Sequence, residues 1–398
     1  MLDNYIGEIR YKAQELGLSF DQVRFSKRDK DFFHELEAFG LPSRFVHWSF
    51  GGGYKYSKNA WEKLGEITLE TVLVTMPPQA YLLDTNSELQ DKSVIAHVYG
   101  HADFFKHNYL LSHAHKDMLN KASIHSETIE QYEKKYGKAE IEKLLDSCLV
   151  VCSHTDVFSS DGLPYFLLEK APLDDHEAGL LDMMITESKY FSQLGRNRII
   201  NEGWASLIED MIMQSLVSKA DWVEYCISKA GVLTQPKLDV NPYTLGIAVW
   251  KAIKEKYGFA KCLDVRRDYE DLLFVDEFLT EDVCRESNLY TYRESADKKQ
   301  VVIEDTSLDK VKERLIAGID SRVPVIKPFE ESKSKLVLQH EQDVRGGLDE
   351  KVMPSFMGAV YRLWKNDISL KAKVYDPGPL KLKEKTYSYT KEGFRKHG

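Results

Sequence analysis

Cysteine is scarce in this sequence. Cys148, Cys152, Cys226, Cys262 and Cys284 are the five present, an odd number with no Cys-x-x-Cys pair. That argues against a disulfide framework and against a thiolate zinc knuckle. Cys148 and Cys152, four residues apart, read as one buried helix face. Long apolar runs are missing too: none approaches the ~20 residues that span a bilayer, and the start Met1-Leu2-Asp3-Asn4 shows no basic-then-apolar leader. No membrane span is expected, and the expected compartment is the cytoplasm. Excess positive charge is also absent. The formal net charge is −9, so no nucleic acid is expected as a partner of the whole molecule. Only the last stretch, Ile326 to Gly398, is mildly basic, with 15 Lys and Arg against 10 Asp and Glu. It reads first as a solvated face and second as a contact for an acidic partner. There is no GxxxxGK[ST] phosphate loop, no GxGxxG turn and no GxSxG elbow, so no nucleotide or flavin is expected and a kinase, dinucleotide enzyme or serine hydrolase is disfavoured. No internal repeat or low-complexity tract is found.

What is there is an ordinary globular balance, 43% hydrophobic and 29% charged, enough to bury a full core. At 398 residues one large domain with a smaller one is the default. Apolar periodicity predicts helices over 4–17, 29–40, 92–108, 112–146, 173–194, 198–219, 242–257 and 269–285, with Pro172 at the start of the fifth. Residues 65–76 read as a strand before Pro77-Pro78. The aromatic stretch Leu41 to Gly53 reads as a loop, because Gly51, Gly52 and Gly53 oppose a long helix. After 306–318, one more helix, the pattern changes: strands over 323–330 and 334–341, a helix over 349–365, and strands over 368–376 and 380–389. The expected class is mainly α (α+β): a large helical domain over 1–295, a connecting helix or linker over 296–322, and a small β-β-α-β-β module over 323–398.

The strongest chemical signal is Val94-Ile95-Ala96-His97-Val98-Tyr99-Gly100-His101-Ala102-Asp103-Phe104-Phe105-Lys106-His107-Asn108. Four-residue spacing puts His97 and His101 on one helix face, where two imidazoles can hold one metal ion. Asp103 and His107 repeat the spacing on another face. The competing reading is a set of buried, hydrogen-bonded histidines that fix packing. The second signal is Asn201-Glu202-Gly203-Trp204, an acid in an apolar helical setting. A carboxylate there needs a partner or a metal. Glu202 as a third ligand, as in zinc hydrolases that take a glutamate from a later helix, stands against a salt bridge to Arg196 or Arg198. Gly203 admits a close neighbour.

The expected cofactor is one divalent ion: zinc, iron or manganese. The position that carries the general base in HExxH hydrolases is Val98 here, so another carboxylate must activate water. Glu187, Glu202 and Asp103 are the catalytic candidates, and Glu209 is a further carboxylate. His47, Trp48, Tyr99, His107, Asn201, Trp204, Glu209, Asn241 and Tyr243 are candidate pocket residues. For His47 a loop position capped by backbone is the alternative, and for Asn241 a helix start ahead of Pro242.

Several strings carry a resemblance: RFVHWSFGGGY (44–54), AYLLDTNS (80–87), VIAHVYGHADFFKHN (94–108), KAPLDD (170–175), NEGWAS (201–206), NPYTLG (241–246), FLTEDV (278–283) and VYRLWK (360–365). In this order they resemble the stage V sporulation protein R (SpoVR-like) family. The resemblance implies a role in forming the spore cortex. It also implies, as partners, a PrkA-type serine protein kinase and a YhbH-like protein. It brings no accepted catalytic residues. Two departures are visible. The family has an aromatic pair and a His after NEGWAS where this chain has Leu207, Ile208 and Glu209, so Glu209, on the face of Glu202, would take that His's place. It also has Asn where this chain has His107, which argues against an essential His107. Two hypotheses follow: a metal-dependent hydrolase of cell-wall or peptide-like substrates, and a non-catalytic sporulation or stress factor working through partners.

Overall fold

The structure is a computed structural model and describes residues 2–64, 68–233, 241–294, 300–319, 325–332, 335–341, 348, 350–375 and 382–397. The chain opens with α1 (Leu2–Glu15), β1 (Arg24–Arg28), α2 (Lys30–Phe39), α3 (Trp48–Leu64), β2 (Glu70–Leu73) and β3 (Gln79–Leu83). A long helical stretch follows: α4 (Glu88–His107), a 3-10 turn at Leu111–His113, α5 (Met118–Tyr136), α6 (Lys138–Ser153), α7 (Leu163–Lys170), α8 (Asp175–Gly195), α9 (Arg198–Leu216), α10 (Lys219–Val232), α11 (Pro242–Tyr257), α12 (Phe259–Asp268), α13 (Asp271–Phe278) and α14 (Glu281–Glu286). Next come β4 (Thr291–Glu294), β5 (Val301–Asp305), α15 (Leu308–Ile319), β6 (Val325–Ser332), β7 (Lys335–Glu341), α16 (Met353–Trp364), β8 (Asp367–Tyr375), β9 (Leu382–Thr390) and β10 (Gly393–His397). The fold is mainly α with small sheets, as expected.

Local chemistry sets most boundaries. Asp29 caps α2 and Gly40 ends it in the left-handed region. Ser87 and Gln90 form a capping box on α4. The predicted helix over 112–146 is two helices, parted at Gly137 with φ +94°, and 269–285 is likewise two. Pro172 lies outside α8, which begins at Asp175. The loop expected around Gly51–Gly53 is instead part of the 17-residue α3. Each glycine costs about 0.5–1 kcal/mol in a helix, and packing overrides that cost. Phe50 meets Phe39 at 5.4 Å, and a Cβ on Gly53 would stand 3.4 Å from the Ala38 Cα, so α3 lies close on α2.

The chain forms two compact units. The first comprises Met1–Pro42, Trp48–Asn120 and Gln193–Ile319. Its three-stranded sheet has the order β1-β3-β2, with β1 parallel and β2 antiparallel to β3. Its centre is a helix cluster of α4, α9 and α11. A Cβ on Gly100 of α4 would lie 2.6 Å from the Ala205 Cα of α9. One on Gly203 of α9 would lie 2.3 Å from the Gly246 carbonyl carbon of α11. These crossings tolerate no side chain, and they seat α9 between its two neighbours. Trp204 and Trp250, both fully buried, fill the space beside them with ring centroids 5.1 Å apart.

The second unit comprises Ser43–His47, Lys121–Ser192 and Asp320–Gly398. Its sheet has the sequential order β10-β9-β8-β7-β6, antiparallel except for the parallel β7–β8 pair that α16 connects. This is the expected β-β-α-β-β run extended by β10. α16 packs on β8 and β9 and also on α6, whose buried residues include Cys148 and Cys152. Among the described residues no helix is long and apolar enough to cross a membrane.

A candidate metal centre

The glycine crossings place residues of α4 and α9 face to face. His97 and His101 are buried, with ring centroids 4.6 Å apart. Glu202 Oε2 lies 3.4 Å from His97 Nε2 and 3.4 Å from His101 Nε2. The three donor atoms all fall within 4.8 Å of one another. His97 Nε2 and Glu202 Oε2 are buried, and neither makes a hydrogen bond. Two buried polar atoms left unmatched 3.4 Å apart need explanation.

The backs of both rings are fixed. His97 Nδ1 donates to Glu209 Oε2 at 3.0 Å, and His101 Nδ1 donates to Asn201 Oδ1 at 3.0 Å. With a proton committed to each Nδ1, each Nε2 turns toward Glu202. Metal-binding histidines are oriented this way. Glu209 is itself held, accepting from Ser93 Oγ at 2.6 Å and Lys229 Nζ at 2.5 Å. Lys229 reaches in from α10 and also meets Asp210 at 3.3 Å.

Two further groups border the site. Glu70 of β2 has Oε1 3.9 Å from His97 Nε2. The Tyr243 ring of α11 stacks on His97 at 6.2 Å. The charges are strongly coupled. Burial opposes charge on His97, but Glu202, Glu209 and Glu70 outweigh it and hold the imidazolium to about 10. Burial likewise pushes the Glu202 and Glu209 carboxyls up, and their cationic neighbours more than reverse this: His101 and His97 hold Glu202 far below the usual carboxylate range, and Lys229 with His97 takes Glu209 to about 2. Burial raises Glu70. The charge of Glu202 raises the Tyr243 hydroxyl. A cluster with three carboxylates thus retains a proton on His97, where a bound cation would supply the charge instead.

The remaining sequence candidates are placed elsewhere. Asp103 is fully buried and accepts from Ser19 N at 3.0 Å, Trp204 Nε1 at 3.2 Å and the Arg266 guanidinium. His107 bonds Ser19. Tyr99 packs on Phe20 and Phe25. Asn241 caps α11 through Tyr243 N and Thr244 N, and Arg196 pairs with Glu270 rather than Glu202. Trp48 is exposed at the start of α3. His47 and Glu187 belong to the second unit. His47 meets Asp146 at 3.2 Å. Glu187 is held by Arg44 Nε at 2.6 Å and His125 Nδ1 at 2.9 Å. Sequence reasoning missed Glu70, Ser93 and Lys229. Glu70 lies in the strand that the sequence predicts, and an acid among Leu69, Val72 and Val74 is the available signal. Lys229 had none.

Among curated proteins the chain is similar to "Uncharacterized protein YcgB" of Escherichia coli (strain K12), 23% identical over a gapped alignment 489 positions long that covers 97% of this chain and 94% of that protein. No solved structure matches. The SpoVR like protein family model matches residues 1–162 and 159–323, a span that contains every residue of the His97–His101–Glu202 cluster and its surroundings. The chain belongs to the SpoVR family.

Proposed function

We propose that His97, His101 and Glu202 hold one divalent metal ion, and that the chain uses it to hydrolyse a cell-wall or peptide-like substrate in spore-cortex formation. One observation carries the metal assignment. Donors about 2.1 Å from a shared ion at a tetrahedral angle sit about 3.4 Å apart, and both histidine–Glu202 separations are 3.4 Å, with the facing His97 and Glu202 atoms otherwise unmatched. The donor chemistry fits: two imidazoles and one carboxylate with an open position suit zinc, iron or manganese. The family membership supports the sporulation context. The PrkA-type kinase and YhbH-like protein remain proposed partners on the resemblance alone.

A divalent ion in this place would acidify a water and polarise a substrate oxygen. The chain's own groups do the rest. Asn201 and Glu209 orient the two rings. Lys229 keeps Glu209 ionised. The Glu202 and Glu70 side chains are 20% and 18% exposed against 7% for each histidine, so the approach for substrate is on the carboxylate side.

Elemental analysis of purified protein beside a His97→Ala/His101→Ala variant tests the proposal. The expected result is about one zinc, iron or manganese per chain, lost in the variant while the helical circular dichroism survives. A second reading rests on the imidazolium of His97 between Glu202 and Glu209: a closed ionic network in a non-catalytic factor that works through partners. It predicts no metal in either protein and a strongly destabilised variant.

A further inference from the structure

From the placement of Glu70 we infer a catalytic role for it: it is the carboxylate that holds and deprotonates the attacking water, in place of the glutamate that α4 lacks. The inference rests on the metal reading above and deepens it. The residue after His97 is Val98, which is fully buried, so α4 offers no carboxylate to the open side of the cluster. The other acids nearby are committed. Asp103 is saturated by Ser19, Trp204 and Arg266. Glu209 stands behind His97 and is shared by Ser93 and Lys229. Glu202 faces both imidazoles.

Glu70 differs from all three. It arrives on a strand rather than on the helix pair, and its side chain is partly exposed. Its Oε1 is 3.9 Å from His97 Nε2, and it falls outside the set of donors that cluster within 4.8 Å. A polar separation beyond about 3.5 Å is too long for a direct hydrogen bond and leaves the space between the groups open to a water. Glu70 is thus a carboxylate at the edge of the donor cluster and outside it, where a general base acting through a water would stand. In the step this allows, a water O–H bond breaks and its proton passes to Glu70 Oε1 while the water oxygen bonds to the acyl carbon. The carbon–nitrogen bond then breaks, and the same proton passes to the leaving nitrogen. No electrons are gained or lost, and the step is written for the amide bond of the peptide-like substrate proposed above.

The test loads zinc into wild type, Glu70→Gln and Glu70→Asp, then titrates each with acetohydroxamic acid by calorimetry. A hydroxamate occupies the open side of a zinc site and needs a carboxylate there to accept its proton. Zinc affinity is expected to stay within about threefold of wild type in both variants. Acetohydroxamate affinity is expected to fall about tenfold or more in Glu70→Gln, with Glu70→Asp between. Loss of zinc from Glu70→Gln would make Glu70 a ligand and overturn the inference. Unchanged hydroxamate affinity would make it a bystander and also overturn it. A wild type that takes up no zinc would instead sink the metal reading, and the role of Glu70 with it.

Discussion

Each unit buries histidine beside glutamate, and the two arrangements end differently. In the second unit Glu187 has an arginine: Arg44 and His125 each take one carboxylate oxygen, and Arg44 lies over Phe191 at 4.8 Å. That carboxylate is satisfied and neutralised. In the first unit Glu202 meets the two imidazoles and the Tyr243 hydroxyl, with Glu70 and Glu209 adding negative charge around them, and the facing His97 Nε2 and Glu202 Oε2 stay unmatched. A guanidinium closes an acidic cluster permanently. Among the described residues Lys229 serves Glu209 and no guanidinium pairs with Glu202, so the charge beside Glu202 is left to a proton or a metal.

The comparison breaks most visibly at the arginine. Arg44→Ala strands a buried carboxylate and is expected to cost about 3–5 kcal/mol in urea unfolding, with the metal content of the protein unchanged. In the first unit the order reverses. His97→Ala/His101→Ala should abolish binding of added zinc in equilibrium dialysis, yet cost only about 1–3 kcal/mol of stability in metal-free buffer, because Glu209 keeps Lys229 and Glu202 is partly exposed where Glu187 is not. A destabilisation as large as that of Arg44→Ala would erase the distinction between the clusters. Glu209→Gln, which keeps the shape behind His97 but not the charge, should weaken zinc about 10–100-fold, and a chelator competition assay reads this directly. The smallest effect concerns a carboxylate at the surface of the second unit. Lys396, Tyr387 and Lys385 hold Glu350 down to about 2. A lowered carboxyl stabilises above its unfolded value and loses that contribution as pH falls through the folded one. The melting-temperature difference between wild type and Glu350→Gln should be flat from pH 7 to 5 and shrink toward pH 2.

Local signals in the sequence are legible where one element suffices. The i, i+4 histidines, the Asp29 and Gly40 boundaries of α2, the Pro242 start of α11 and the alternation in β8 all depend on neighbours along the chain. Gly203 could be recognised as a contact glycine because nothing else explains it in an apolar helix. What escaped depended on distant partners. The glycines of α3 oppose a helix until Ala38 is brought against them. The short β1 and β3 pair with each other although more than fifty residues separate Arg24 from Gln79. Glu70 and Lys229 reach the site from a strand and from a helix, and no spacing relates them to His97. Glu187 illustrates the converse: it had the right chemistry for a base, but its buried arginine partner was not visible in any local string.

The interleaving of the two units has a consequence for how the chain is made. Each unit is assembled from three separate segments, and residues 121–192 of the second interrupt the first. Asn201 follows His101 by 100 residues. At about 5–20 residues per second of synthesis, the paired imidazoles of α4 wait roughly 5–20 s for the acid and amide of α9. During that interval the nascent helix has two of the cluster's histidines and no glycine crossing to close over them, so final assembly of the cluster belongs late in biogenesis. Neither unit can be cut out as one continuous fragment, and a truncation at residue 120 would leave the histidines without the groups that make them a site.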